Sequence, residues 1–176
     1  GAVGSVIPNL PFRGFVNPSL DRTTEVEIAL SDFYNPTGED AYPPGSPFGE
    51  KQKPRALWIN VSAVWCGPCQ YESAEILPEE YALYAPRGAE LLLVLADSAV
   101  VGDPAKITHL DSWTKKYAAA WPSVIDPPHT LANQFQGGQY PVNIVVDTET
   151  MIVRAILNGI PEEGSGFYSA LEAELD

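Results

Sequence analysis

The hydrophobic pattern divides the chain into extended and helical stretches. Residues 4–20 place apolar side chains between Pro8, Pro11, Gly14 and Pro18, which predicts an extended opening segment with one short strand. Thr24–Leu30 alternates with period two and predicts a strand. Asn35–Pro54 carries five prolines and three glycines and no period. So long a stretch without secondary structure is uncommon; the expectation is an ordered surface loop, with a partner or substrate surface as the alternative.

Arg55–Val64 is apolar on both faces and predicts a buried strand. Helical spacing of Tyr71, Ala74, Ile76, Leu77, Tyr81 and Leu83 carries a helix to about Tyr84. Pro78 lies inside it and should kink or split it, because proline lacks the N–H that the helix needs. Glu90–Ala96 predicts a second buried strand, and Pro104–Ala120 a helix bounded by Trp121-Pro122. Residues 129–135 fit one or two helical turns. Pro141–Val146 and Met151–Leu157 flank a turn at Asp147–Thr150, a hairpin signal. Pro161–Leu175 predicts a closing helix with Pro161 near its first position, although Gly164 and Gly166 weaken its first turns.

Helical crossovers between the early strands imply parallel pairing, and the late hairpin adds antiparallel strands. The expected fold is therefore α/β with a central mixed β-sheet flanked by helices. At 176 residues the chain is expected to form a single domain, 1–176, with residues 1–23 as an N-terminal extension and 35–54 as an inserted Pro/Gly-rich loop.

Composition adds exclusions. Hydrophobic residues make up 45% and charged residues 19%, a globular balance. Ten Lys and Arg stand against 23 Asp and Glu, a formal charge of −13, so nucleic acid is not an expected partner. No apolar run approaches the roughly 20 residues of a membrane span. The chain opens Gly1-Ala2-Val3 without a basic and apolar leader; an export signal or membrane anchor would belong to a missing N-terminal segment.

The chemistry concentrates in Trp65-Cys66-Gly67-Pro68-Cys69, which holds both cysteines of the chain. Two cysteines so spaced bind a metal, attach a haem, or form a disulfide. Haem attachment needs a following His, and residue 70 is Gln. Zinc needs two more ligands, and His109 and His129 have no metal-like spacing; no metal and no cofactor are expected. A structural disulfide and an exchanging one remain, and placement favours exchange. A cysteine at the start of a helix meets unpaired N–H groups and the positive end of the dipole, and its thiol pKa then falls to roughly 3.5–7.5. Cys66 is thus the expected nucleophile and the more exposed thiol. Cys69, one turn later, resolves the mixed disulfide.

The pentapeptide after an apolar strand resembles the active site of the thioredoxin superfamily. Leu57-Trp58-Ile59-Asn60, Glu72, Ile125-Asp126, Phe135, Tyr140–Asp147 and Gly159 are similar to the TlpA/ResA type of extracytoplasmic thiol–disulfide oxidoreductase, as is the opening Ile7-Pro8-Asn9-Leu10. The resemblance covers most of residues 5–175, and the 35–54 loop lies outside the common pattern. It departs at three places: Asn60 replaces the Asp of cytosolic relatives, Ala74 stands where the helix-kinking Pro is usual, and Asp147–Thr150 lacks the usual turn Gly. The resemblance implies a thioredoxin fold and a periplasmic location, free or membrane-anchored. It also implies protein thiol or disulfide substrates such as apocytochromes, and a membrane or soluble electron donor. Gly67-Pro68 is similar to the dipeptide of reducing thioredoxins and implies a reductase. The alternatives are an oxidase or isomerase on the same scaffold, a peroxidase, which normally uses a lone peroxidatic cysteine, and a binding module with an inert disulfide.

On that resemblance Pro141 is expected to be cis and to hold the substrate chain with Tyr140. Gly137-Gly138 and the strand Val142–Val146 are expected to support it. Trp65, Gly67 and Pro68 are expected to flank the bound chain. Glu72, three residues after Cys69, is expected to tune the cysteines and move protons. Asn60 is expected to be a hydrogen-bonded strand residue, and His109 and His129 to be surface or capping residues.

Overall fold

A computed structural model describes residues 1–135 and 139–175. One seven-stranded sheet runs through it in the order β2-β1-β5-β4-β3-β6-β7, with β1 Pro11–Phe15, β2 Val26–Ala29, β3 Ala56–Ala63, β4 Ala89–Asp97, β5 Ser123–Ile125, β6 Val142–Asp147 and β7 Ile152–Asn158. β3, β4 and β5 pair in parallel, while β6, β7, β1 and β2 join antiparallel. The helices are α1 Gly67–Tyr71, α2 Leu77–Tyr84, α3 Ile107–Lys116, α4 Thr130–Gln134 and α5 Gly166–Leu175. The expected α/β mixed sheet is thus present as a thioredoxin fold.

β3 explains why the pattern lacked alternation there. All eight of its residues are buried, because both sheet faces are covered. Leu57, Ile59 and Val61 point to one core with Ile7, Phe33, Tyr42, Phe48, Leu131 and Phe135. Ala56 and Trp58 point to the other, with Leu77, Leu110, Trp113, Phe167 and Leu171 from the helices. The opening segment and the 35–54 loop therefore close one face of the sheet. Within the loop Tyr42 stacks on Phe48 with centroids 4.6 Å apart, and Phe48 meets Phe33 edge-on.

Two element boundaries differ from expectation, and one strand had no counterpart in it. The helix expected over 104–120 spans only α3. Before it, Ala105 N–H donates to Ala96 O and Pro104 bridges Asp97, extending the sheet edge; after it, Ala118 turns left-handed at φ 51°. The closing helix starts at Gly166, not at Pro161, because Gly164 adopts φ 75° in a preceding turn. β5 carried no periodic signal, being three residues long, yet it joins the N-terminal β1–β2 pair to the parallel strands. There Gly14 lies against β5, and a Cβ on it would sit 2.0 Å from Ser123 O.

The expected break at Pro78 takes a definite form. α1 and α2 are joined by a π-helical segment, Glu72–Ile76, in which Leu77 N–H reaches back to Glu72 O. Pro78 opens α2, where its missing N–H has no helical partner.

Candidate active site

Cys66 is the N-cap of α1, at the carboxyl end of β3, where open α/β sheets place their sites. Cys66 and Cys69 are joined as a disulfide with Cα atoms 5.2 Å apart. The Cys69 N–H donates to Cys66 Sγ at 3.2 Å, so a helix-terminal donor already points at this sulfur. Pro68 lies in the first turn, and Gly67 and Pro68 are exposed.

Cys66 is the more exposed cysteine of the pair, as expected, by a small margin: it is 2% exposed, against 0% for Cys69. Tyr140 O lies 3.5 Å from Cys66 Sγ, and the Tyr140 ring meets the half-buried Trp65 ring edge-on at 6.0 Å. The Tyr140–Pro141 bond is cis. Trp65, Cys66, Tyr140 and Pro141 thus come together at one mouth. Gly137 and Gly138 lie outside the described residues.

Behind the disulfide the sheet carries a buried polar network. Period two puts Trp58, Asn60 and Ser62 on the helix side of β3, and Asn143 of β6 is directly opposite Asn60. Asn143 Oδ1 accepts from Trp58 Nε1 at 2.7 Å and from Asn60 Nδ2 at 2.9 Å. Asn143 Nδ2 donates to Glu72 Oε2 at 2.8 Å and to Gly159 O at 2.9 Å. Asn60 Nδ2 also donates to Glu72 Oε1, and Ser62 Oγ–H to Asn60 Oδ1. Glu72 itself is fully buried. Burial pushes its carboxyl up from 4.5 to about 7, even though the bonds from Asn143 and Asn60 pull it down. A buried acid one helical turn beyond Cys69 is thereby poised to hold or release a proton near neutrality.

Asn143 carried a sequence signal, an amide in the otherwise apolar Val142–Val146 strand, but its partners are 71 and 83 residues away. A second cluster also escaped notice. Asp97 Oδ2 accepts from Trp65 Nε1 at 2.8 Å and from Gly102 N–H at 2.9 Å, and His129 Nε2 lies 2.6 Å from Asp97 Oδ1. His129 takes the N-cap position of α4, in keeping with its expected surface or capping place, but its side chain makes no cap and is half-buried against Asp97. His109 does cap, its Nδ1 accepting from Lys106 N–H at 2.9 Å. Among the described residues no group of three or more His, Cys, Asp or Glu is placed to hold a metal ion.

Residues 51–156 match the AhpC/TSA family model. Among curated proteins none matches. Among solved structures, one titled as a candidate DsbE thiol:disulfide interchange protein from Chlorobium tepidum is 19% identical, with TM-score 0.68 and 99% of each chain covered. The thioredoxin domain of a thiol-disulfide oxidoreductase from Bacteroides vulgatus is 16% identical, with TM-score 0.65, covering 100% of this chain and 99% of that one. A secreted thiol-disulfide isomerase from Corynebacterium glutamicum is 19% identical, with TM-score 0.63, covering 97% and 86%. At these identities the likeness is one of fold.

Proposed function

The chain belongs to the AhpC/TSA family, and we propose that it is a thioredoxin-like thiol–disulfide oxidoreductase that reduces protein disulfides outside the cytoplasm through Cys66 and Cys69. The observation that carries this reading is the Cys66 N-cap, with the Cys69 N–H aimed at its sulfur and Tyr140 O beside it. In the reduced protein, helix N–H groups favour the Cys66 thiolate. It attacks one sulfur of a substrate disulfide, forming a mixed disulfide and releasing a substrate thiolate that takes a proton from water. Cys69 then gives up its proton, with the Glu72 carboxylate as acceptor, and attacks Cys66 Sγ. The second substrate thiolate leaves and takes a proton from water, so two substrate thiols and the Cys66–Cys69 disulfide remain. A dithiol donor restores the pair by the same exchange in reverse.

The Trp65 and Tyr140 rings supply apolar walls for an extended segment of the substrate, with Gly67 and Pro68 exposed at the rim. The reducing direction draws on the resemblance of Gly67-Pro68 to reducing thioredoxins. A place outside the cytoplasm draws support from the secreted relative and the TlpA/ResA likeness; a membrane or soluble electron donor draws support from that likeness alone. An oxidase or isomerase is the second reading, favoured by the name of that same relative.

The test is insulin reduction with dithiothreitol, together with a Cys69→Ala variant incubated with a disulfide-containing protein. The expected results are faster reduction than by dithiothreitol alone and a stable mixed disulfide on Cys66. A rate equal to dithiothreitol alone would refute the reductase. Trapping through Cys69 in a Cys66→Ala variant, with none through Cys66, would refute the assignment.

A further inference from the structure

We propose that His129 is a positioning residue for the substrate mouth: it clamps the Asp97 carboxylate, which in turn fixes the Trp65 indole and the 98–103 loop beside Cys66. This rests on the reading of Trp65 and Cys66 as the substrate site.

Asp97 ends β4, opposite Ala63 of β3, and its carbonyl accepts from Val64 N–H. Its backbone is therefore tied to the strand end that leads into Trp65 and Cys66. Its side chain is 3% exposed, so each carboxylate oxygen must find donors inside the protein. One oxygen, Oδ2, serves both Trp65 Nε1 and Gly102 N–H. The other, Oδ1, faces His129 Nε2 at 2.6 Å. Burial alone would raise the Asp97 carboxyl, but the donors from Trp65, Gly102 and His129 outweigh it and hold it below its ordinary value. An ionised carboxylate only accepts, so the Nε2 of His129 carries the hydrogen.

His129 is itself held rigidly. It follows Asp126-Pro127-Pro128, its N–H donates to Asp126 O, and the Asp126 carboxylate accepts from Thr130 and Leu131 N–H. Its backbone is left-handed, φ 55° and ψ 31°, a conformation residues bearing a Cβ seldom adopt. The turn aims the ring at Asp97 from a third segment, separate from those holding Trp65 and Gly102.

The consequence falls on the substrate side. Without His129 the carboxylate can turn about its own axis, and the shared oxygen no longer holds the indole and the loop in one arrangement. The indole is one wall of the mouth, against Tyr140. The loop is closed by Ser98 Oγ–H to Asp103 Oδ2 at 2.6 Å and presents Val100 and Val101, 64% and 70% exposed. These valines stand on the loop whose Gly102 N–H shares Asp97 Oδ2 with the indole.

The experiment compares wild type, His129→Ala and His129→Gln, the last retaining a side-chain N–H donor. Insulin reduction kinetics and the indole N–H NMR signal of Trp65 are the readouts. Loss of one hydrogen bond at a positioning site predicts that His129→Ala raises KM by about fivefold with kcat changed less than about twofold. The Trp65 indole signal should shift in His129→Ala, and His129→Gln should restore both signal and KM. Wild-type KM and signal in His129→Ala would overturn the proposal. So would a fall in kcat at unchanged KM, or a His129→Gln that behaves like the alanine variant. If wild type does not reduce insulin, the reductase reading fails on its own account, and the indole signal alone decides the positioning claim.

Discussion

Replacing Glu72 by Gln isolates the proton held behind the disulfide. The carboxyl sits at about 7 instead of 4.5, chiefly because burial disfavours its charged form. A displacement of that size corresponds to roughly 3 kcal/mol between the two protonation states. Its sign follows from linkage. Because the folded value is raised, the native state holds the proton more tightly than the unfolded chain does. Stability from Glu72 is then fully present below 4.5 and is lost as pH rises through about 7. Gln is nearly isosteric and does not titrate, so all other groups cancel in the difference between the two proteins. Urea unfolding of both, with the disulfide intact, at intervals from about pH 4 to about pH 8.5 measures that difference. Wild type should lose roughly 3 kcal/mol relative to Glu72→Gln across the range. A flat difference would show an ordinary carboxyl, and wild type gaining with pH would show a depressed one. Either outcome would refute the account of Glu72 as a proton store.

Asn143→Ala should cost about 3 kcal/mol in urea unfolding, since Trp58 Nε1 and Gly159 O lose their partner inside the protein. It should also move the Glu72 transition in that pH series further up, because Asn143 gives the larger of the two bonds that lower it. Gly14→Ala should destabilise by about 1–3 kcal/mol or more, since its Cβ would lie 2.0 Å from Ser123 O; hydrogen exchange should show β1 and β2 opening first, while Cys66 chemistry continues.

Much of this arrangement was legible from residue order. Buried strands announced themselves as apolar runs, and Pro78 marked the break that became the π-helical segment. The Cys-Gly-Pro-Cys sequence placed Cys66 at a helix start because that geometry is local. What escaped was non-local. β5 is too short to show a period, and its place comes from pairing with Gly14 and Leu95 neighbours far away in sequence. Pro161 looked like a helix start, but Gly164 and the turn around it delay the helix to Gly166. The Asp97–His129 pair spans 32 residues and follows no spacing rule. The small opening over Cys66 likewise depends on Tyr140, 74 residues away.

The measurement that tests the central claim most directly is the redox equilibrium of the Cys66–Cys69 pair against glutathione and dithiothreitol buffers. A reductase should open and close reversibly with a midpoint toward that of thioredoxin, below about −220 mV. A midpoint between about −180 and −120 mV would contradict the reducing direction and favour an oxidase or isomerase. A disulfide that does not exchange down to about −300 mV would be structural, and would contradict the claim that this pair turns over.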